Sequence, residues 1–416
     1  MQESNQQHQT FEGLGISEKI LSVLTKANFV KPTPIQHQSI PTALEGKDLI
    51  GVAQTGTGKT LAFGIPMIQH LAKPTSVGGG LIIAPTRELA IQIEESFRKI
   101  GQFLGLRTAV LIGGEPIYRQ VTAIRKGARV IIATPGRLID HLQQRTLSLD
   151  KVEILVLDEA DRMFDMGFAP QLKIILERVP KNRQTLLFSA TMPSEIVKIA
   201  TQHMKMPIRV EVAPSGTVAE LVEQEIIIVK KDGKLTMLKK VLDDHHGSVL
   251  VFSRTKHGAK KITQAIRNMG HTAAEIHSNR SLGQRKEALE GFKTGRHRVL
   301  VATDIAARGI DVQDIQLVLN YDLPDNPEDY VHRIGRTARA GREGKAISFA
   351  TPEQRRDVQI IERIIRKTLP VKHADGTKVD RQPPVNQHSQ QQKPGEPRKP
   401  HFFHRRRSPS RNRGRR

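Results

Sequence analysis

Two segments of this chain have residue types and spacings that suit phosphate chemistry. The first, at 53–60, reads Ala-Gln-Thr-Gly-Thr-Gly-Lys-Thr and follows an apolar run. Its glycines can turn backbone N–H groups toward phosphate oxygens, its lysine can reach the outer phosphates, and its last hydroxyl can bind Mg²⁺. The pattern opens with alanine, so it matches a phosphate loop in a relaxed form. The expected nucleotide-binding residues are Ala53, Gln54, Thr55, Gly56, Thr57, Gly58, Lys59 and Thr60, with Thr60 also expected as a metal ligand.

The second segment supplies carboxylates. Residues 154–157 form a short apolar run typical of a buried parallel strand, and Asp158 and Glu159 follow it. Asp158 is expected to hold Mg²⁺, and Glu159 to orient and deprotonate the attacking water. A solvated strand end is the alternative interpretation, which the phosphate loop upstream makes much weaker. Together the two segments predict binding and hydrolysis of a nucleoside triphosphate.

The elements that must position these residues alternate between strand-like and helix-like patterns. Such alternation predicts α/β domains, each a mostly parallel sheet flanked by helices. The same pattern begins again in the second half of the chain, without a phosphate loop, which suggests a nucleotide bound in a cleft between two domains. The predicted divisions are a disordered N-terminus (1–10), a first domain (11–213), a linker (214–220), a second domain (221–370) and a disordered basic tail (371–416).

The composition points to a polyanionic partner. The net charge is +23, and the last 46 residues hold 13 Lys or Arg against 3 Asp or Glu. Nucleic acid is favoured over acidic lipid, and a merely soluble, basic chain is the alternative. With no cysteine, disulfides and thiolate metal sites are excluded. We see no membrane-spanning run and no signal segment, so we expect a cytoplasmic protein without a membrane partner.

The order of the motifs resembles that of the DEAD-box family of RNA helicases over roughly residues 11–369. Within that family, the sequence is similar to bacterial RhlE-type members. The motifs that carry this resemblance are Pro32–Gln36, Pro85–Ala90, Gly113-Gly114, Thr134–Arg137, Asp158–Asp161, Ser189–Thr191, Ala302–Asp304, Ala307–Asp311 and His332–Arg339. The resemblance implies two tandem RecA-like domains that use ATP and Mg²⁺ to unwind or remodel RNA.

The adenine base has two candidate contacts. Gln36 offers a donor and an acceptor on one amide, which matches the adenine N6/N7 edge, and Phe29 could stack on the base. In the family this region selects ATP. Asn28 stands where the family usually has glycine, which leaves the loop conformation open, and Phe29 could instead be a core residue.

The resemblance assigns further roles in the second half of the chain. Arg336 and Arg339 are expected to reach the γ-phosphate and to be catalytic together with Glu159 and Lys59, although an arginine cluster facing RNA is the alternative. Gly309 and Asp311 are expected to bind the nucleotide. Ser189 and Thr191 are expected to couple hydrolysis to strand separation through His332, a role that their residue types alone do not reveal.

RNA contacts are expected from small and polar residues that let phosphates approach, without stacking aromatics and hence without sequence specificity. They are Pro85, Thr86, Arg87, Gly113, Gly114, Thr134, Gly136, Arg137 and Thr303. An ATP-gated RNA clamp or scaffold with little unwinding of its own stays open as an alternative, and a DNA helicase is disfavoured by the resemblance. Ribosomal or RNA-decay proteins are candidate partners.

Overall fold

The computed structural model describes residues 10–54, 56–212, 222–307, 312, 315–327, 329–337 and 344–377. The predicted linker (214–220), nearly all of the predicted N-terminal segment and the predicted tail beyond residue 377 lie outside the described residues. Among the described residues, no helix is both long enough and apolar enough to cross a membrane.

The first half of the chain builds a seven-stranded parallel sheet in the order β3-β4-β2-β5-β6-β1-β7. Its strands are β1 (Leu49–Val52), β2 (Gly79–Ile83), β3 (Thr108–Leu111), β4 (Val130–Ala133), β5 (Val152–Leu157), β6 (Gln184–Ser189) and β7 (Ile208–Glu211). Its helices are α1 (Glu18–Lys26), α2 (Pro34–Leu44), α3 (Lys59–Leu71), α4 (Arg87–Gly101), α5 (Ile117–Arg125), α6 (Pro135–Gln143), α7 (Ala160–Asp165), α8 (Ala169–Arg178) and α9 (Ser194–His203).

The second half repeats this topology, in the order β10-β11-β9-β12-β13-β8-β14, again with parallel pairing. Its strands are β8 (Val222–Ile228), β9 (Val249–Phe252), β10 (Ala273–Ile276), β11 (Val299–Ala302), β12 (Leu317–Asn320), β13 (Gly344–Ala350) and β14 (Val371–His373). Its helices are α10 (Lys234–Asp244), α11 (Lys256–Asn268), α12 (Leu282–Lys293), α13 (Asp304–Ala307), α14 (Asp329–Ile334) and α15 (Arg355–Ile365). Strand for strand, the two orders correspond, which confirms the predicted fold class of tandem α/β units.

The apolar pattern of the sequence agrees with the positions of these strands and helices. Five of the central strands, β1, β4, β9, β11 and β12, are short runs buried along their whole length, as a sheet covered on both faces requires. On α4, Leu89, Ile93, Phe97 and Ile100 recur at spacings of four, four and three residues, as one helix face requires, and they are buried in the core. Because all strands of a sheet are parallel, the loops that follow their carboxyl ends meet along one edge. The predicted motifs of the first half leave the sheet along that edge.

The predicted start of the disordered tail is wrong. Val371–His373 forms β14, which pairs in parallel with β8, and Val371 is buried. Lys372 Nζ also lies 2.8 Å from Glu225 Oε2 on β8. The strand is short and follows a polar stretch, so its pattern was too weak to distinguish from the basic tail.

We therefore expect a chain ending at residue 377 to keep the stability of the full chain, and one ending at residue 370 to lose about 2 kcal/mol. The loss follows because the buried Val371 side chain is removed and the edge of β8 is left without a hydrogen-bonded partner strand. Urea unfolding of the two truncated chains measures it. Equal midpoints and slopes would show that β14 contributes nothing.

Candidate active site

The phosphate loop is a turn between β1 and α3. Ala53 N donates to Ser189 O (2.9 Å), which continues the β1–β6 ladder into the loop. Gly56 and Gly58 have φ values of 87° and 89°, in the left-handed region that residues with a Cβ rarely adopt. Lys59 begins α3, and its buried Nζ donates to Ala53 O (3.1 Å). The loop thus places backbone N–H groups and one ammonium at a helix N-terminus, which is an arrangement that binds phosphate. Thr55 lies outside the described residues.

Gln36 is joined to this loop. Its Oε1 accepts from Thr33 N (2.9 Å) at the start of α2, and its Nε2 donates to Gly58 O (2.9 Å). A Cβ on Gly58 would lie 2.3 Å from that Nε2, so the contact requires glycine. The predicted reader of the base is therefore also a support of the phosphate loop, which the sequence did not reveal.

The rest of the predicted base site is a loop after α1. Asn28 has φ 60°, the left-handed conformation that asparagine tolerates better than most residues. The asparagine thus takes a backbone shape usually left to glycine, which answers the question that the sequence left open. Phe29 is 37% exposed, so its ring is not part of the core.

Asp158 and Glu159 lie at the end of β5, and both are buried. Asp158 Oδ1 accepts from Glu159 N (3.0 Å). Glu159 has φ 50°, and its Oε2 lies 2.6 Å from Arg162 Nη1 on the next helical turn, so the two form a buried ion pair. Sequence reasoning missed Arg162, although the i, i+3 spacing of the two charges was a signal for it.

Burial and charge act oppositely on the two carboxyl groups. Burial raises the pKa of Asp158 to about 6. For Glu159, burial would also raise the pKa, but the charges of Arg162, Lys59 and Arg336 together lower it to about 2. These positive charges keep the Glu159 carboxylate ionised, which a group that orients and deprotonates a water molecule requires.

Asp161 links the carboxylate motif to the loop after β6. Its Oδ2 accepts from Ala190 N (3.1 Å), Thr191 N (2.8 Å) and Thr191 Oγ1 (2.9 Å). Its own N–H donates to Ser189 Oγ (3.2 Å). The structure therefore brings Ser189 and Thr191 into direct contact with the segment that carries Glu159.

The second half of the chain faces these groups through α14 and the turn after it. Arg336 is 3% exposed, its Nε donates to His332 O (3.3 Å), and its charge acts on Glu159. Burial lowers the pKa of His332 to about 4, helped by the positive charges of Arg162 and Arg336, so its ring is neutral at pH 7. A small cleft is lined from both halves by Arg162, Phe252, Asp304, Ala307, Asp329, His332, Arg333 and Arg336. The predicted residues Gly309, Asp311 and Arg339 lie outside the described residues.

Arg333 anchors α14 in the second half. Its Nε and Nη2 lie 2.5 and 2.7 Å from the two carboxylate oxygens of Asp304, and its Nη1 donates to Asn320 Oδ1 (3.1 Å). Its guanidinium also lies over the Phe252 ring. This buried pair fixes the helix from which His332 and Arg336 project, and sequence reasoning did not single it out.

Eight of the nine predicted RNA contacts lie together where β2, β3 and β4 end side by side, with Pro85, Thr86 and Thr134 buried beneath the surface. Thr86 caps α4, with its Oγ1 accepting from Leu89 N (3.2 Å). Arg87 lies against the glycine pair, so that a Cβ on Gly114 would be 2.4 Å from Arg87 Nη1. Arg137 Nη1 donates to Glu115 O (2.8 Å). Thr303 lies apart, after β11 in the second half.

Close to this surface the two halves touch. Arg285 Nη2 on α12 lies 2.9 Å from Glu88 Oε2 on α4, and both side chains are largely buried. Leu282, at the start of α12, packs into the hydrophobic core of the first half. The contact was not predicted, since residues 88 and 285 are close only in the folded chain.

Comparison with known proteins gives a consistent result. The family model for DEAD/DEAH box helicases matches residues 33–199, and that for the helicase conserved C-terminal domain matches residues 233–341. The chain is 44% identical over 360 residues to the ATP-dependent RNA helicase CshA of Listeria monocytogenes, covering 86% of this chain and 69% of that protein.

Solved structures agree with the sequence matches. Mss116p bound to single-stranded RNA and AMP-PNP is 30% identical, with a TM-score of 0.80 over 89% of this chain and 80% of that chain. A DEAD box protein from Methanococcus jannaschii is 38% identical, with a TM-score of 0.52 over 88% of this chain and 98% of that chain. With its ordered motifs, its paired parallel sheets and these relatives, the chain belongs to the DEAD-box family of RNA helicases.

Proposed function

We propose that this protein couples RNA-stimulated hydrolysis of ATP to local unwinding or remodelling of RNA duplexes and RNA–protein complexes. The observation that carries the proposal is the meeting of the two halves, with Arg336 buried against the charge of Glu159. The overall arrangement agrees better with Mss116p bound to RNA and AMP-PNP (TM-score 0.80) than with the M. jannaschii protein (0.52). It therefore resembles a state in which RNA and nucleotide hold the two halves together.

The residues present fit ATP and Mg²⁺. The left-handed glycines, the buried Lys59 and the N-terminus of α3 suit a triphosphate, and the buried Asp158 has a carboxyl group that a cation would keep ionised. Thr60 and Asp158 would hold Mg²⁺, which supplies charge neutralisation on the phosphate oxygens. Gln36 and Phe29 would bind adenine, and Gly309 and Asp311 the rest of the nucleotide.

Catalysis then depends on what this chain positions around the γ-phosphate. Glu159, held by Arg162, orients and deprotonates the attacking water. Arg336, with Arg339, stabilises the negative charge that develops in the transition state. Because Glu159 and Arg336 come from different halves, hydrolysis requires the halves to meet.

RNA binding favours the association of the two halves. The surface at the ends of β2–β4 lies in the first half and Thr303 in the second, so one strand that contacts both favours their association. The contacts are to the backbone, so binding is expected to be largely independent of sequence. Ser189 and Thr191, through Asp161, and His332, beside Arg162, then transmit the state of the nucleotide to this surface.

Several finer assignments belong to the proposal as well. We propose a first domain at 11–213 and a second domain that begins at 221 and runs through β14, and a cytoplasmic location on the ground of a chain without cysteine. The similarity to RhlE-type members stays a prediction, since the relative described above carries the name CshA. Ribosomal or RNA-decay partners are also predictions.

Release of a strand from an RNA duplex distinguishes a helicase from an ATP-gated RNA clamp or scaffold. We expect the isolated protein with ATP to release a short labelled strand from an RNA duplex in a gel-shift assay. Glu159→Gln should bind ATP but lose turnover and release, roughly 10²–10⁴-fold, whereas Lys59→Ala should lose ATP affinity. RNA-stimulated hydrolysis without strand release would favour the clamp, and full turnover by Glu159→Gln would remove its catalytic role.

Arg336 tests whether the halves must meet for chemistry. We expect Arg336→Ala to bind RNA nearly as the parent does, yet to lose RNA-stimulated turnover by roughly 10³-fold or more, as for an arginine that stabilises a transferring phosphoryl group. Phosphate release at saturating RNA measures this. Arg254→Ala, which removes an exposed arginine paired with Asp325, is the matched control. Equal losses in the two variants would contradict the assignment.

Gln36 tests the reading of the base. Because Gln36 also supports Gly58, Gln36→Ala should weaken ATP and GTP together through the loop, and should weaken ATP further by losing the adenine contact. The informative quantity is the ratio of the two dissociation constants in the variant and in the parent. A ratio that does not change would mean that Gln36 serves the phosphate loop alone.

A further inference from the structure

The outer face of α5 is a basic surface with one exposed aromatic ring, next to the predicted RNA contacts. The helix begins three residues after Gly114 and runs down the edge of the sheet beside β3. Its first turn exposes Tyr118, which is 63% accessible. We define the α5 outer face as the exposed residues Tyr118, Arg119, Thr122, Arg125 and Lys126.

This face is held in a fixed position relative to the predicted RNA surface. On the opposite side of the helix, the buried Gln120 donates from Nε2 to Ile112 O (2.9 Å), and its Oε1 lies 3.1 Å from Nε2 of the buried His141 on α6. His141 Nδ1 lies in turn 2.7 Å from Thr146 Oγ1. The loop before α5 is tied from the other side, by the hydrogen bond from Arg137 to Glu115 O. A ligand therefore meets a preorganised surface and has little ordering cost.

The chemistry of the face suits a single-stranded nucleic acid. Residues 117–126 contain three basic residues and no Asp or Glu. Glu115, just before the helix, acts on Arg119 electrostatically, but among the described residues no carboxylate forms an ion pair within 4.0 Å with Arg119, Arg125 or Lys126. Exposed rings stack on bases of any sequence, and basic residues beside them neutralise phosphates.

Tyr118 and Arg119 are already arranged together. The Arg119 guanidinium lies 5.9 Å from the centroid of the Tyr118 ring, and its Nε donates to the phenol oxygen (3.3 Å). This contact restricts the ring of Tyr118 without burying it. Arg119 and Lys126 are seven residues apart, which on a helix is roughly 10 Å along one face, so the basic stripe extends away from the Gly113-Gly114 loop.

We propose that the α5 outer face is an additional RNA subsite, which binds the single strand beyond the Gly113-Gly114 loop by stacking a base on Tyr118 and by placing phosphates beside Arg119, Arg125 and Lys126. The proposal rests on the proposed function, since it assumes that RNA lies at that loop. The continuity of the face with the predicted RNA surface favours RNA over a protein partner. The subsite lengthens the RNA footprint and favours duplexes with single-stranded extensions, and it takes no part in hydrolysis.

The test compares RNAs of two lengths. The short RNA is the shortest oligouridylate that fully stimulates ATP hydrolysis by the parent, and the long RNA extends it by roughly four to eight nucleotides, within the span of known single-strand sites. We expect Tyr118→Ala to weaken the long RNA by roughly 5- to 150-fold, the range for one stacked base, and to leave the short RNA and its stimulated turnover unchanged. Tyr118→Phe, which keeps the ring, should restore the parent affinity.

Phe103→Ala is the matched control. Phe103 is 66% exposed, close to the 63% of Tyr118, but it precedes β3 whereas Tyr118 follows that strand, so it lies at the opposite end. It should leave the affinity for both RNAs unchanged. Changing Arg125 and Lys126 to glutamine should also make the salt dependence of long-RNA binding shallower, by about 0.7 for each phosphate that is no longer neutralised.

The outcomes separate this proposal from the function on which it rests. A Tyr118→Ala variant that binds the long RNA as Phe103→Ala does would overturn the subsite and leave the face to some other partner, such as a protein. An equal loss for both RNAs would also overturn it, because Tyr118 would then belong to the main RNA surface. Absence of RNA stimulation in the parent would instead remove the proposed function.

Discussion

The buried ion pair between Glu159 and Arg162 is the contact around which the site is arranged. A charge removed from water must be compensated, and the Arg162 guanidinium, 2.6 Å from the Glu159 carboxylate, provides the first compensating charge. Further positive charge comes from Lys59 of the phosphate loop and from Arg336 of the second half. The electrostatic environment of Glu159 is therefore complete only when the loop, the carboxylate strand and the second half meet.

These contacts bear on the proposed coupling of hydrolysis to RNA binding. Asp161 accepts three hydrogen bonds from the loop after β6, and it lies two residues from Glu159. It thus joins the segment that carries Glu159 directly to that loop. In the second half, the Arg333–Asp304 pair anchors α14, from which His332 projects toward the same cleft. The proposed coupling therefore has a direct structural connection on each side of the cleft.

The parallel topology places the proposed RNA surface beside the proposed nucleotide site. Strands β2, β3 and β4 end on the edge of the sheet from which the phosphate loop and Asp158 also emerge. The residues proposed to bind RNA and nucleotide therefore lie in the loops after the strands, whereas the strands themselves form the hydrophobic core. The Glu88–Arg285 ion pair joins this surface to the second half. The α5 outer face extends the same edge outward, on a helix that is anchored from beneath by Gln120.

From local patterns alone, the sequence predicts the alternation of strands and helices, the phosphate loop and the carboxylate strand end, because apolar periodicity and glycine spacing are local properties of the chain. It also determined the repeat of two α/β units. It did not determine β14, where three residues gain their stability from pairing with a strand that is distant along the chain. The contacts of Gln36 with Gly58, of Asp161 with the loop after β6, and of Glu88 with Arg285 likewise depend on the tertiary structure. Each of these contacts joins residues whose separation in sequence carries no signal, and only the packing of the sheets brings their charges and hydrogen-bonding groups within reach of one another.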